Sequence, residues 1–329
     1  MNVISLKQEE HLSEFAAHVL DGFTADKKHL SSRYFYNAEG DRLFQAIMAS
    51  PEYYLTNCEF EIFQQQGSKI AEAIAAQGPF ELIELGSGDG LKTSVLIDAL
   101  YAYGAEFTFR PVDISDNSLE LLGQRLKQGR PWLKIDAIHG NYMHVLTDAA
   151  LEDMYSEGPR RVILFLGSNL GNYREPEAVA FLQLIHNSMR SHDALMIGLD
   201  LQKDPTVIRA AYNDADGHTR DFNLNLLHRI NTELGANFDL DAFVHAPEYD
   251  SETGAARSFL QSTRLQSVYV EALQKSFHFE AGEKIFMEIS QKYSVTQIND
   301  LAKAAGFQVD HEFYDSRHFF TDQIWKPVQ

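Results

Sequence analysis

The chain has 329 residues, of which 44% are hydrophobic and 23% charged, as in an ordinary globular protein of one large or two smaller domains. The formal net charge is −19 and no lysine–arginine cluster stands out, which argues against a nucleic-acid partner. A single cysteine, Cys58, excludes an intramolecular disulfide and favours the cytoplasm. The sequence does not begin with a basic region followed by an apolar one, so we expect no signal peptide. It has no run of about 18 apolar residues, so we expect no membrane span.

The first part of the chain predicts helices on either side of an aromatic-rich segment. Residues 9–25 have helical periodicity, and another helix is expected from about Glu59 to Ala75. Residues 34–47 between them are rich in aromatic side chains, and 51–56 predict a turn that opens the second helix. This region precedes the first clear strand–helix unit.

A glycine-rich turn after a buried strand is the most informative local pattern. Residues 80–85 predict the strand, Gly86-Ser-Gly-Asp-Gly90 the turn, and 92–100 a helix with an apolar inner face. Such a turn lets a ligand approach bare backbone N–H groups beside a helix N-terminus. Leu91 stands where a dinucleotide fingerprint has its third glycine. The pattern that remains, E-x-G-x-G-x-G, is typical of S-adenosylmethionine (SAM) methyltransferases; a plain tight connection is the alternative.

Three more predicted strands end in small or polar residues. The next strand ends at Asp113, 27 residues after Gly86, where an acid is placed to accept hydrogen bonds from ribose hydroxyls. Asn141 and Tyr142 follow a third strand and are suited to bracket an adenine, and an apolar run from Arg161 closes on a polar, glycine-bearing loop. Strand ends of this kind predict a nucleotide crevice at the carboxyl edge of a parallel sheet.

The pattern changes after another strand at 194–200. Helices are expected over 207–212 and 222–234 and several strands between 243 and 289, followed by a helix over 291–306 and a hairpin of strands, 307–314 with 318–325. The alternating strand–helix pattern is interrupted after residue 201 and resumes with a strand, a helix and two strands. We therefore predict an α/β protein whose sheet domain is split in sequence. Residues 60–201 with 291–329 would form the SAM-binding domain, and 1–59 with 202–290 a substrate-binding α+β lobe.

Nearly the whole chain resembles the histidine-specific Nα-methyltransferases of ergothioneine biosynthesis. The resemblance rests on an ordered series of motifs rather than on any one of them. They are Tyr34-Phe-Tyr36 with Leu43-Phe44, Pro51-Glu-Tyr-Tyr54, Glu84-Leu-Gly-Ser-Gly88 with Lys92-Thr93, Asp113-Ile-Ser115, Leu166-Gly-Ser-Asn-Leu-Gly-Asn172, Ala211-Tyr-Asn-Asp214 with Phe222-Asn-Leu-Asn225, and Glu288-Ile-Ser290. The resemblance implies a class I, Rossmann-like SAM-dependent methyltransferase domain with a second lobe inserted near the end.

The resemblance also implies an activity and a set of site residues. The family trimethylates the α-amine of L-histidine to hercynine with SAM as the methyl donor. The residues implied to hold SAM are Gly86, Ser87, Gly88, Lys92, Asp113, Asn141, Tyr142 and Gly167. Asn172 and Tyr212 would hold the amino-acid carboxylate, Glu288 and Ser290 the imidazole, and Tyr53 would also face the substrate. Tyr36 would lie near the substrate amine, and Tyr36 and Tyr53 are the candidate catalytic residues.

The residue types fit that chemistry, but each has a structural alternative. A buried carboxylate accepts the imidazole N–H and a hydroxyl bonds the other ring nitrogen, whereas a phenyl ring would leave both groups unpaired. Glu288 is equally consistent with a surface ion pair to Lys284. The tyrosines at 36, 53 and 54 suit an aromatic core, Tyr212 suits helix packing, and Asn172 suits the cap of the next helix.

Departures from the family pattern leave other acceptors open. Asn141 replaces a common aspartate, Asn169 replaces threonine, and Ser258 falls near a methionine position of the substrate pocket. A methyltransferase of another small amino acid or histidine derivative, and a SAM-binding module without turnover, are the rival hypotheses. The histidines show no metal-ligand spacing, so we expect no metal. We also expect a monomer that acts on a small molecule.

Overall fold

The computed structural model describes residues 3–88, 90–114, 116–147 and 158–328, with side chains from residue 13 onward except that of Asn117. Asp89 and Ser115, which belong to motifs named above, lie outside these residues. The chain divides into two compact units, a first of Met1–Tyr54 and Lys203–Ser290 and a second of Leu55–Gln202 and Gln291–Gln329. In the part of the chain described here, no helix is long and apolar enough to cross a lipid bilayer.

The second unit is built on a seven-stranded sheet. In chain numbering its strands are β1 (Phe80–Leu85), β2 (Phe107–Asp113), β3 (Ile138–His139), β4 (Arg160–Phe165), β5 (Ala194–Asp200), β12 (Phe307–Tyr314) and β13 (Phe320–Pro327). Their order is β12-β13-β5-β4-β1-β2-β3, in which β1 to β5 are parallel and β13 pairs antiparallel with both β5 and β12. The order 3-2-1-4-5 is that of a doubly wound sheet. The predicted Rossmann-like α/β class is therefore confirmed.

Helices connect these strands. They are α3 (Tyr54–Ala75), α4 (Leu91–Tyr103), α5 (Asp116–Gly129), α6 (Tyr142–Thr147), α7 (Glu175–Asn187) and α10 (Val295–Ala304), with a 3-10 turn at Asn169–Asn172. Strands β4 and β5 are buried at every position, as expected for parallel strands covered on both faces. The strand order reverses between β1 and β4, so the loops after these two strands open at the edge where doubly wound sheets bind ligands.

The first unit combines helices with short antiparallel strands. Its helices are α1 (Val3–Thr24), α2 (Ala38–Ala49), α8 (Pro205–Ala211) and α9 (His218–Leu234). Its strands are β6 (Phe243–His245), β7 (Glu248–Asp250), β8 (Ala255–Ser262), β9 (Gln266–Val270), β10 (Lys275–Phe279) and β11 (Lys284–Gln291). Strands β6, β7 and β11 pair with β8, and β9 pairs with β10. One apolar core joins helices and strands, with Phe23 at its centre against the rings of Phe238, Phe277 and Phe279.

Several predicted boundaries shift in the structure. Helix α3 begins at Tyr54 rather than near Glu59, so residues 55–59 belong to the second unit, although the sequence analysis assigned them to the first. The prediction of one helix over 291–306 was wrong at its start. Strand β11 runs to Gln291, Tyr293 bridges to Leu201, and α10 begins only after Ser294, whose hydroxyl caps the N–H of Gln297.

Candidate active site

The turn after β1 exposes backbone at the carboxyl edge of the sheet. Gly86, Gly88 and Gly90 have φ of +73°, +50° and +60°, a region that side chains rarely adopt. A Cβ at Gly86 or Gly88 would meet no atom within 4 Å, so this stretch of backbone borders open space. Gly90 immediately precedes α4, and its Cβ position is closed by Leu122. The turn is thus an accessible backbone surface at the start of a helix, as the sequence pattern predicts.

Two side chains make this turn a polar recess. Asp113, at the end of β2, accepts a hydrogen bond on Oδ2 from the Gly88 N–H at 3.3 Å. Ser87 is buried, and its Oγ has no hydrogen-bond partner among the described residues. A buried, unpaired hydroxyl is costly unless a ligand or water satisfies it. The structure therefore brings Asp113, Ser87 and Gly88 together at one end of the sheet.

Lys92 lies in the first turn of α4 and is held by an acid. Its ammonium forms an ion pair with Oε2 of Glu59, a fully buried residue of α3, and Glu59 Oε1 accepts the Gly167 N–H at 2.7 Å. Lys92 Nζ lies 3.2 Å from where a Cβ at Gly167 would stand. Burial opposes the charged form, but the ion pair with Glu59 outweighs it and raises the pKa of Lys92. Lys92 is therefore a fixed cation between the loops after β1 and β4.

Asn141 and Tyr142 sit at the start of α6. The Asn141 side chain accepts the Met143 N–H at 2.9 Å, so it caps the helix. The Tyr142 hydroxyl lies 3.0 Å from that of Tyr173, and its ring packs against Phe165 and Phe181. Both side chains remain partly exposed. Their contact with adenine stays a prediction.

Asn172 is the last residue of the 3-10 turn after β4, and its side chain is exposed. Helix α7 follows it, but the cap residue of that helix is Arg174. The alternative that Asn172 serves as the helix cap is therefore wrong. Asn169, at the start of the same turn, is half-buried, with its side-chain amide within 4 Å of a Cβ placed at Gly167.

The first unit brings together three residues predicted to bind substrate. The Tyr212 hydroxyl, at the C-terminal end of α8, donates to Ser290 Oγ at 2.7 Å. Glu288 lies two residues before Ser290 on β11, so both side chains project from one face of the strand. Ile285 and Met287 alternate with them and project into the core.

The structural alternative for Glu288 was a surface ion pair with Lys284. Lys284 Nζ pairs instead with Glu248 Oε1 of β7 at 2.5 Å. Glu288 itself is half-buried. Ser258, the departure noted above, is buried on β8, two residues from the core side chain of Leu260 and therefore on the same face of the strand.

Tyr36 and Tyr53 lie in one aromatic cluster. The Phe44 ring stands between them, with centroids 5.8 Å from Tyr36 and 6.4 Å from Tyr53. Phe222 packs against both Tyr36 and Phe44. Tyr36 is 47% exposed and Tyr53 is half-buried, so neither hydroxyl is locked into the core by burial. The structure thus places the two candidate catalytic tyrosines in one cluster, and their roles stay predictions.

The sequence analysis missed three polar residues: Glu59, Asp322 and His245. Glu59 lies on the apolar face of α3, and Asp322 lies in β13, where the residues from Phe320 to Trp325 are all buried. No local sequence signal marks them, because Asp322 stands between Thr321 and Gln323 and a second acid, Glu61, follows Glu59. His245 of β6 was also missed; its Nε2 lies 3.0 Å from the Tyr212 carbonyl oxygen.

The residues of the second unit described above have polar groups that suit SAM. A carboxylate at the end of β2 suits ribose hydroxyls, and open glycine backbone with an unsatisfied Ser87 hydroxyl suits the polar amino-acid end of a ligand. No cluster of three or more His, Cys, Asp or Glu side chains has metal-binding geometry within the described ranges. The second unit therefore offers recognition of a nucleoside with a zwitterionic tail.

Comparison with known proteins identifies the family. Residues 15–327 match the family model described as histidine-specific methyltransferase, SAM-dependent. The histidine N-alpha-methyltransferase of Mycobacterium tuberculosis is 35% identical over 302 residues, which cover 90% of this chain and 91% of that protein. Ergothioneine biosynthesis protein 1 of Schizosaccharomyces pombe is 29% identical over 85% of this chain and 36% of its own length. The 4-dimethylallyltryptophan N-methyltransferase of Claviceps fusiformis is 25% identical over 89% of this chain and 86% of its own. The chain therefore belongs to the family of SAM-dependent, histidine-specific methyltransferases.

Proposed function

We propose that the protein transfers three methyl groups from SAM, one after another, to the α-amine of L-histidine and releases hercynine for ergothioneine biosynthesis. The observation that supports this most is the family match over residues 15–327, together with the hydrogen bond from Tyr212 to Ser290, which shares one face of β11 with Glu288. We further propose that the enzyme acts as a monomer in the cytoplasm on free histidine.

The cofactor side of the proposed reaction is assigned to the second unit. SAM supplies an electrophilic methyl group on a sulfonium, so the protein needs to orient it rather than activate it with a metal. Asp113 would accept hydrogen bonds from the ribose hydroxyls, while Ser87 and the backbone of Gly86 and Gly88 would receive the methionine portion. Lys92 would meet the carboxylate of SAM with its ammonium, as an opposite charge. Positioning and exclusion of water then supply most of the acceleration of an in-line displacement.

The acceptor side is assigned to the first unit. Glu288 would accept the imidazole N–H. Because Tyr212 donates to Ser290, the Ser290 hydroxyl keeps its own proton for an acceptor such as the other ring nitrogen. Tyr212 has one hydroxyl proton, so holding the substrate carboxylate as well would require that proton to turn away from Ser290. Asn172, to which the resemblance also assigns that carboxylate, belongs to the second unit, and its contact stays a prediction.

A proton must leave the amine before each transfer. A free α-amine has a pKa near 8 and is mostly protonated at pH 7, whereas only the neutral amine has a lone pair to attack the methyl carbon. Tyr36 and Tyr53 are the candidate groups to receive the amine's hydrogen bond and pass the proton to water. Tyr36 suits this role because its ring is fixed by Phe44 and Phe222 while nearly half its surface meets solvent.

The test is mass spectrometry of the purified protein with SAM and the twenty amino acids, scored for one, two and three added methyl groups. We expect trimethylhistidine to accumulate as the product. A variant with Tyr36→Phe controls for contaminating activity, because it should slow the reaction without loss of SAM binding. Methylation of another acceptor alone would refute the histidine assignment and leave the cofactor assignment intact.

A second acceptor class is the main competing proposal. The relative from Claviceps fusiformis is named for methylation of a tryptophan derivative, so similarity within this group spans more than one aromatic acceptor. Ser258 and Asn169 are the departures through which a different acceptor would be admitted. SAM binding without any product from the twenty amino acids would instead favour a histidine derivative or a binding module without turnover.

A further inference from the structure

Two carboxyl groups and one ammonium are buried together at the centre of the second unit. Glu59 and Asp322 are both fully buried, and they come from α3 and β13. Both converge on Gly198 of β5, where an added Cβ would collide with Glu59 Oε1 and lie 3.1 Å from Asp322 Oδ1. Only hydrogen occupies that position at Gly198, and the two carboxyls fill the space. The structure thus contains an acid pair that the proposed reaction does not use.

The hydrogen bonds of the two acids are unequal. Glu59 accepts from Lys92 and from the Gly167 N–H. Neither oxygen of Asp322 has a donor among the described residues, although burial removes water from both. A buried carboxylate without a donor is costly, but a protonated carboxyl group can donate its own O–H to a neighbouring carboxylate. Asp322 therefore fits its site as the proton-bearing member of the pair.

The charge balance leads to the same conclusion. The ionisable groups that face this pair are Lys92 from α4 and, behind Lys92, Glu84 from β1, which accepts the Thr93 hydroxyl at 2.5 Å. Lys92 is the one cation among them, and it is paired with Glu59. A second anion beside Glu59 would have no counter-ion in a site of low polarity. Burial, reinforced by the Glu59 charge, raises the pKa of Asp322 well above its ordinary 3.8.

We propose that Glu59 and Asp322 share one proton and act as positioning residues: the shared proton leaves Glu59 as the single anion that fixes Lys92 and the Gly167 amide for SAM. The proposal rests on the assignment of Lys92 and Gly167 to the SAM site. The Lys92 side chain keeps 23% of its surface exposed, and its ammonium is paired with Glu59. A second negative charge at Asp322 would weaken the field that Lys92 presents to a carboxylate ligand.

The experiment compares Asp322→Asn, Glu59→Gln and the double variant with the wild type. Asparagine mimics the neutral, donating carboxyl group, so D322N should bind S-adenosylhomocysteine within about twofold of the wild-type affinity by calorimetry. Glu59→Gln leaves one oxygen to accept from both Lys92 and Gly167, and we expect at least about a tenfold loss. The double variant removes the anion from either position and should lose more than the two single variants together.

Two further measurements distinguish a shared proton from a purely structural role of Asp322. The infrared C=O stretching band of a protonated carboxyl group should be present in the folded wild type at pH 7 and absent in D322N. In addition, a carboxyl group whose pKa is raised by folding contributes stability that is complete below pH 3.8 and is lost as the pH rises toward the folded pKa. The Tm of the wild type minus that of D322N should therefore fall from pH 5 to pH 9.

Absence of that infrared difference, or equal loss of S-adenosylhomocysteine binding in D322N and E59Q, would overturn the shared proton. Binding is measured without an amino acid, so the result is independent of the acceptor that the enzyme methylates. Failure of histidine methylation with normal S-adenosylhomocysteine binding would instead count against the proposed function alone.

Discussion

Replacing Glu288 by glutamine tests the imidazole assignment with the least disturbance. The variant keeps the shape of the side chain and removes its charge. Ser290, on the same face of β11, stays in place through its bond with Tyr212. We expect kcat/KM for histidine to fall while the enzyme still binds S-adenosylhomocysteine normally, because Glu288 lies in the first unit and the residues proposed to bind SAM lie in the second.

The size of the effect follows from the type of hydrogen bond. A bond to a charged group contributes about 1.5–3 kcal/mol, which corresponds to roughly a 10- to 150-fold fall in kcat/KM. Since Glu288 is half-buried rather than fully enclosed, we expect the lower part of this range. The selectivity for histidine over phenylalanine should fall by a similar factor, because phenylalanine never used the carboxylate.

The assay is a competition between histidine and phenylalanine, with products quantified by mass spectrometry. Glu248→Gln is the matched control, since it breaks the exposed pair with Lys284 on the same sheet and should change neither selectivity nor Tm by much. An unchanged ratio of histidine to phenylalanine products in E288Q would refute the imidazole contact. An equal fall in the control would show that the sheet, and not the carboxylate, controls selectivity.

Three other expectations concern cofactor binding, stability and pH. Asp113→Asn should weaken S-adenosylhomocysteine binding about 10- to 100-fold by calorimetry, since it removes the charge from the ribose contacts and from the Gly88 bond; unaltered affinity would remove Asp113 from the site. Asp193→Ala should lower the free energy of unfolding in urea by about 3–5 kcal/mol, because it strands the buried Arg161 guanidinium, and a loss below about 1 kcal/mol would contradict this. Burial lowers the pKa of His245, so the contribution of its neutral form to stability is present above pH 6.5 and is lost as the pH falls. The Tm of the wild type minus that of His245→Asn should therefore decrease from pH 7 to pH 5.

The sheet and the cofactor loop were predictable because their signals are local. Strand β5 and strand β12 have the predicted bounds, and the glycine-rich turn has the positive φ angles that its glycines indicate. The end of α9 before Gly235 was also predicted, and Gly235 adopts φ +65° there. In each of these cases periodicity or a glycine acts within a few residues, so sequence alone carries the information.

The features that the sequence did not reveal have three separate causes. Strands β6 and β7 have three residues each, too few for a periodic pattern, and they exist because β8 supplies their hydrogen bonds. The start of α10 was misplaced because the S-x-x-Q capping box at Ser294 was overlooked beside a longer amphipathic pattern. Glu59 and Asp322 are 263 positions apart, so no local pattern reveals that they share one site.

The position of β13 in the sheet has a consequence for folding during synthesis on the ribosome. This strand lies inside the sheet between β5 and β12, yet it follows all the other strands of the sheet in chain order. Until it emerges, β5 presents an unpaired apolar edge and Glu59 faces an unfilled gap in the interior. Chains that lack residues 320–327 should therefore be recognised by chaperones and proteases as incompletely folded, because loss of an inner strand destabilises the whole sheet rather than one edge of it.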